Sequence, residues 1–121
     1  MPTELTRRIL NDYFTAMGTG QFTQFFTDDV TWTTVENNAV VCGPSRVQDT
    51  ILGLHGRMSD MQTRQLVISD DAAYLEGSCA NIDGQTDRVL YCVAYDLDGS
   101  QIASMRAYGA PAAFMPPDSA R

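Results

Sequence analysis

The spacing of apolar residues changes along this chain, and the change confines it to folds with a helical start and a mainly sheet remainder. Leu5, Ile9, Tyr13 and Met17 recur every four residues, with Leu10 and Phe14 beside them, so residues 4–17 read as an amphipathic helix. Thr3 stands where it can cap the start. Gly18 and Gly20 end it, because glycine takes the left-handed conformation at a helix C-terminus without steric cost. A short helical turn then sets Phe22, Phe25 and Phe26 on one side, dense enough in aromatic area to be buried. From Val30 the period is two: Val30, Trp32, Thr34 and Glu36 share one strand face, and Thr31, Thr33 and Val35 the other. Asp28 and Asp29, between the two patterns, read as a turn rather than as a paired-carboxylate site.

Asn37 and Asn38 tolerate positive φ and predict a turn into a second strand at residues 39–42. Gly43, Pro44 and Ser45 announce another helix, with Val47, Ile51, Leu54 and Met58 on its apolar side and His55 at that side's edge. After the polar stretch 59–64, strands are predicted at 65–69, 73–82, 86–97 and 101–108, separated by Asp70-Asp71, Asp83-Gly84 and Asp98-Gly99. Asp-Gly is a strong hairpin signal, so this half reads as an antiparallel meander. Residues 1–114 read as a single domain and 115–121, behind the prolines at 116 and 117, as a flexible tail.

Composition narrows function mainly by exclusion. A net charge of −7 cannot supply the basic stripe that phosphate neutralisation needs, so neither nucleic acid nor an anionic membrane is an expected partner. All eight basic residues are arginines, which removes Schiff-base chemistry on lysine. Cys42, Cys79 and Cys92 are odd in number and lack CxxC spacing, and there is one histidine, so no disulfide framework, metal site or cofactor is expected. The longest apolar run, 89–95, is too short to span a bilayer, and the chain reads as cytoplasmic.

Three motifs carry a resemblance. Phe26-Thr27-Asp28-Asp29-Val30-Thr31-Trp32 resembles an aromatic-x-Asp-Asp-apolar-x-aromatic stretch of the ketosteroid isomerase-like, or nuclear transport factor 2-like (NTF2-like), superfamily. Cys42-Gly43-Pro44-Ser45-Arg46-Val47 resembles that superfamily's start of the third helix, and residues 98–108 resemble its closing Asp-Gly-x-Ile-x-x-x-Arg-x-Tyr strand with one extra residue. The likeness spans roughly residues 5–110 and also takes in the SnoaL-like polyketide cyclases and limonene epoxide hydrolase. It implies an α+β cystatin-like cone, in which a curved, mostly antiparallel sheet wraps a long N-terminal helix around an apolar pocket. It further implies a homodimer through the open sheet face, here Leu90, Cys92, Ala94, Ile102 and Arg106.

Carried over residue by residue, the resemblance implies little chemistry. Tyr13 matches the acidic tyrosine of the ketosteroid isomerases, but their base falls on Thr34 and their second acid on or near Val93. The epoxide hydrolase triad falls on Trp32, Thr34 and Ala107, with its middle-strand pair near Glu76 and Ser78.

The candidate catalytic residues are therefore Tyr13, as donor to a developing oxyanion, and Glu76 or His55, to move a proton. Alternation alone turns Leu75 and Cys79 inward and Glu76 to water, whereas counting back from Asp83-Gly84-Gln85 by the resemblance puts Tyr74, Glu76, Ser78 and Ala80 on the lining. Trp32, Thr34, Tyr91, Tyr95 and Ser78 are expected to contact a hydrophobic small-molecule ligand, polyketide- or terpenoid-like. The expected function is cofactor-independent proton transfer: isomerisation, cyclisation or dehydration. A non-catalytic binding module and an epoxide hydrolase with an altered water site are the alternatives.

Overall fold

In the computed structural model, which describes residues 2–80 and 88–109, two helices cover one face of a six-stranded, curved and unclosed sheet. The tail and the Asp83-Gly84 turn lie outside the described residues. Helix α1, Pro2–Met17, begins one residue before Thr3, which therefore sits inside it and does not cap it. The Thr3 hydroxyl instead donates to Asp70 Oδ1 at 2.6 Å, and buried Thr6 donates to the Asp70 carbonyl at 2.7 Å. These two bonds fasten α1 to the turn between the third and fourth strands.

Gly20, at φ +77°, turns the chain after α1, and a 3-10 turn, Thr23–Phe25, leads into β1, Phe26–Thr34. The strand thus starts at Phe26, and Asp28 and Asp29 are exposed strand residues rather than a turn. A register shift between Phe26 and Thr31 breaks the alternation over this stretch, which is why the period of two is readable only from Val30. Asn38, at φ +56°, makes the turn into β2, Ala39–Cys42. Helix α2, Pro44–Arg57, follows Gly43 at φ +99° and buries Val47, Ile51 and Leu54.

Four strands complete the sheet: β3, Ser59–Ile68; β4, Ala72–Ala80; β5, Val89–Asp98; β6, Gln101–Gly109. Spatial order is β2-β1-β6-β5-β4-β3, antiparallel throughout except where β1 runs parallel to β6. The stretch 59–64, read from sequence as non-strand, is the first half of β3. It is an edge strand exposed from Ser59 to Gln65 with two register shifts, so neither face imprints an apolar alternation on it.

Leu10 and Tyr13 of α1, Ile51 of α2, and Val30, Ile102 and Met105 of the sheet fill the core. Each such side chain, fully buried, contributes roughly 1.5–3 kcal/mol relative to exposure. Ile102 was expected on the outer face and is wholly buried. The register shifts between Asp96 and Leu97, where β6 has one residue more than β5, and side chains beyond it change sides. On the outer face Leu90 is exposed, Cys92 half-buried, and Arg106 pairs with Asp96, whose carboxyl that guanidinium holds below the usual range. Ala94 is on that face but buried. Among the described residues no helix is long and apolar enough to cross a membrane.

Candidate functional site

The inward period of the sheet and the apolar stripes of both helices converge on a cavity of about 380 Å³. Trp32 of β1, Leu75 of β4, and Tyr91, Val93 and Tyr95 of β5 form its sheet wall, while Tyr13 and Phe14 of α1 and Ile51 and Leu54 of α2 form its helical wall. Lining residues with solvent exposure mark its mouth: Met17 and Gly18 at the end of α1, His55 and Met58 at the end of α2, and Met61 and Thr63 on β3. Three methionines at one opening make a deformable apolar rim.

Tyr13 lies at the centre of an aromatic assembly, with Phe14, Phe22, Phe25, Phe26 and Tyr95 rings 5.5–6.2 Å away. Its hydroxyl donates to Met105 Sδ at 3.7 Å, and burial pushes its pKa well above the ordinary tyrosine value. A thioether is a weak acceptor, so a ligand oxygen at this wall displaces it at small cost. Burial also raises the pKa of Tyr95 and Tyr91, so all three phenols keep their protons at neutral pH and can donate hydrogen bonds. Burial lowers the pKa of His55, which leaves the imidazole neutral and able to accept a proton near pH 7.

Of the positions expected from sequence, the structure gathers Tyr13, His55, Trp32, Tyr91 and Tyr95 around one cavity. Thr34 is buried on the same strand face as Trp32 but lies outside the lining. Glu76 and Ser78 are on the opposite side of the sheet. Ala73, Gly77 and Cys79 are buried and Leu75 meets the cavity, whereas Glu76 is about half exposed and ion-paired with Arg64 at 3.2 Å. The count carried back through the turn is out of step by one residue, and with a side-chain period of two that slip exchanges faces.

Ser78 instead accepts from Arg88 Nε at 2.9 Å, and the same guanidinium donates to Asp60 Oδ2 at 3.0 Å and to the Asp60 carbonyl at 2.8 Å. This clamp holds the start of β3, and with it Met61 and Thr63, against β4 at the mouth. Asp60 is in the left-handed region, at φ +48°, and Arg88 keeps its carboxyl below the usual range. Met61 and this clamp were not read from sequence, because the first half of β3 has no apolar period, and Met17 and Met58 were read as ends of the helix stripes but not as a rim. Phe14 was noted beside the helix stripe but not as lining.

No family model matches the sequence, and no curated protein does. Solved structures do match. A steroid delta-isomerase from Pseudomonas aeruginosa superposes with a TM-score of 0.76 at 10% identity, covering 91% of this chain and 82% of that one. An NTF2-like protein of unknown function from Mesorhizobium loti superposes with a TM-score of 0.76 at 12% identity, covering 91% and 94%. This chain has the NTF2-like fold. A de novo designed protein with a curved β-sheet also superposes on this chain, with a TM-score of 0.74, 14% identity and coverage of 93% and 90%. Some neighbours in this fold bear isomerase names and others have no known function, so the NTF2-like cone leaves the reaction to be argued from the cavity.

Proposed function

We propose that the cone binds a hydrophobic small molecule of polyketide or terpenoid type and moves a proton on it without a cofactor. The observation that carries this reading is the joining of neutral His55 to the protonated phenol of Tyr13 around one apolar cavity. His55 accepts the proton from a carbon next to a ligand carbonyl. The C–H electron pair passes into an enolate whose oxygen takes a hydrogen bond from Tyr13, and His55 returns the proton at a second carbon, which is an isomerisation. With a hydroxyl leaving instead, protonated by the same imidazole, the product is a dehydration.

The test is incubation with β,γ-unsaturated ketones and 1,3-dicarbonyl compounds in D₂O, followed by mass spectrometry. Deuterium uptake above the protein-free rate is the expected result. Binding without uptake would replace this reading with the second one, a carrier that holds its ligand unchanged. That second reading is favoured by one observation: no carboxylate lines the cavity among the described residues, since Glu76 faces out. The same placement takes the acid away from an epoxide hydrolase mechanism.

We also propose that the outer sheet face pairs with a second copy. Val67, Tyr74, Leu90 and Tyr108 are exposed there beside Arg106–Asp96 and Arg64–Glu76, so the face offers apolar area and both signs of charge to its own image. Sedimentation at micromolar concentration is expected to give twice the chain mass; a single-chain mass would refute the pairing.

A further inference from the structure

We propose that the ligand of the cone carries a fully alkylated, quaternary ammonium group, seated against Tyr13, Phe14, Trp32 and Tyr95. The inference rests on the reading of the cone as a ligand pocket and adds the charge of what enters it.

The first observation is the shape of the aromatic wall. The rings of Tyr13, Phe14 and Tyr95 all line the cavity and meet at steep angles: 48° between Tyr13 and Phe14, 72° between Tyr13 and Tyr95, and 75° between Phe14 and Tyr95. Three rings so tilted are not stacked face to face, and Trp32 extends the aromatic lining from β1. Ring quadrupoles attract a cation placed over their faces, most strongly with tryptophan and tyrosine and most of all where water is excluded.

The second observation is electrostatic. No arginine lines the cavity among the described residues, the chain has no lysine, and His55 stays neutral, so nothing charged in the lining attracts an anion or repels a cation. The chain as a whole carries −7, which raises the local concentration of cations and lowers that of anions.

The third observation chooses among cations. A primary ammonium brings three N–H donors, each of which needs an acceptor when buried. The lining offers the hydroxyls of Tyr13, Tyr91, Tyr95 and Thr63 and the neutral imidazole of His55 as acceptors, but among the described residues no carboxylate to pair with a strongly hydrated primary ammonium once it is buried. An ammonium with four carbon substituents has no donor to satisfy, spreads its charge over methyl or methylene surface, and presents an apolar exterior to Met17, Met58 and the rings.

Isothermal titration with three molecules of nearly equal shape tests this: choline, its uncharged carbon isostere 3,3-dimethylbutan-1-ol, and the anionic 3,3-dimethylbutanoate. Choline is expected to bind on the order of tenfold more tightly than the neutral isostere, and the anion more weakly than either. Equal or tighter binding of the neutral isostere overturns the charge assignment while leaving the apolar pocket intact. Absence of binding by all three also overturns it, and the deuterium experiment then decides separately whether the pocket reading survives. Phe14→Leu, at a half-buried position, and Tyr95→Leu are expected to shrink the choline-to-isostere ratio. Because that ratio compares two ligands on one protein, partial destabilisation of a variant does not mimic the effect; an unchanged ratio in both variants counts against the aromatic seat.

Discussion

Replacing Gly109 with alanine is expected to destabilise the fold by about 2–6 kcal/mol, read as a shift in the urea or thermal unfolding midpoint. Two costs combine. Gly109 has φ +133°, where a side chain is strained by roughly 1–3 kcal/mol. A Cβ there would also stand 2.6 Å from the Leu90 carbonyl oxygen and 2.9 Å from Tyr91 Cα. Both are backbone atoms of the adjacent β5, which cannot rotate aside, so overpacking adds roughly 1–3 kcal/mol. Gly77 provides the contrast. Tyr91 pairs with Gly77 on one side and Gly109 on the other, but a Cβ at Gly77 would meet only the end of the Tyr91 ring, at 2.9 Å. That ring borders the cavity and can swing into it. Gly77→Ala is therefore expected to cost a fraction of the Gly109→Ala effect and to change ligand binding instead. Equal stability losses in the two variants would contradict this account of the sheet.

His55→Gln is expected to lower the rate of deuterium uptake by roughly 10²- to 10⁴-fold, the usual range for a general base, with the ligand still bound. Glutamine approximates the shape and one hydrogen bond of imidazole but does not titrate. The pH profile supplies a readout that loss of packing would not move. A base works in its neutral form, and burial lowers the pKa of His55, so activity should reach its plateau with an acid-side midpoint below the ordinary histidine value of 6.5. The sign for stability follows from the same shift. As pH falls, the unfolded chain binds this proton before the folded one, so the stabilisation held above the ordinary pKa is lost as pH falls through the folded pKa. The glutamine variant should lose less stability than the parent over that interval. An unchanged uptake rate would leave Tyr13 without a partner and favour the carrier.

The order of elements was readable because each apolar stripe has one period and clear punctuation: Ile9, Tyr13 and Met17 before Gly20, with Leu5 at the stripe's start left exposed, Val30 to Thr34 after it, and Gly43 ahead of α2. The site was readable only in part. Tyr13, Trp32 and His55 lie on regular stripes and reach the cavity as their spacing implies. Glu76 was ambiguous because a strand's parity depends on every residue between it and the reference point. There the inward positions Ala73, Leu75, Gly77 and Cys79 were the better guide. Ile102 failed for a related reason, since the extra residue noted before it is accommodated as a shift in register that no local pattern announces. The first half of β3, with Met61 and its Arg88–Asp60 clamp, has no buried face to imprint a period on the sequence at all.

The parallel pairing of β1 with β6 also has a consequence during biosynthesis. Thr31 finds its neighbour in Ser104, so the first strand is made long before the last. At about 5–20 residues per second of translation, β1 waits several seconds with a bare edge, and its aromatic neighbours have no vault to close over them. The newborn protein is most vulnerable to clumping in that interval. Chaperone capture and truncation products should both register the moment when β6 leaves the ribosome.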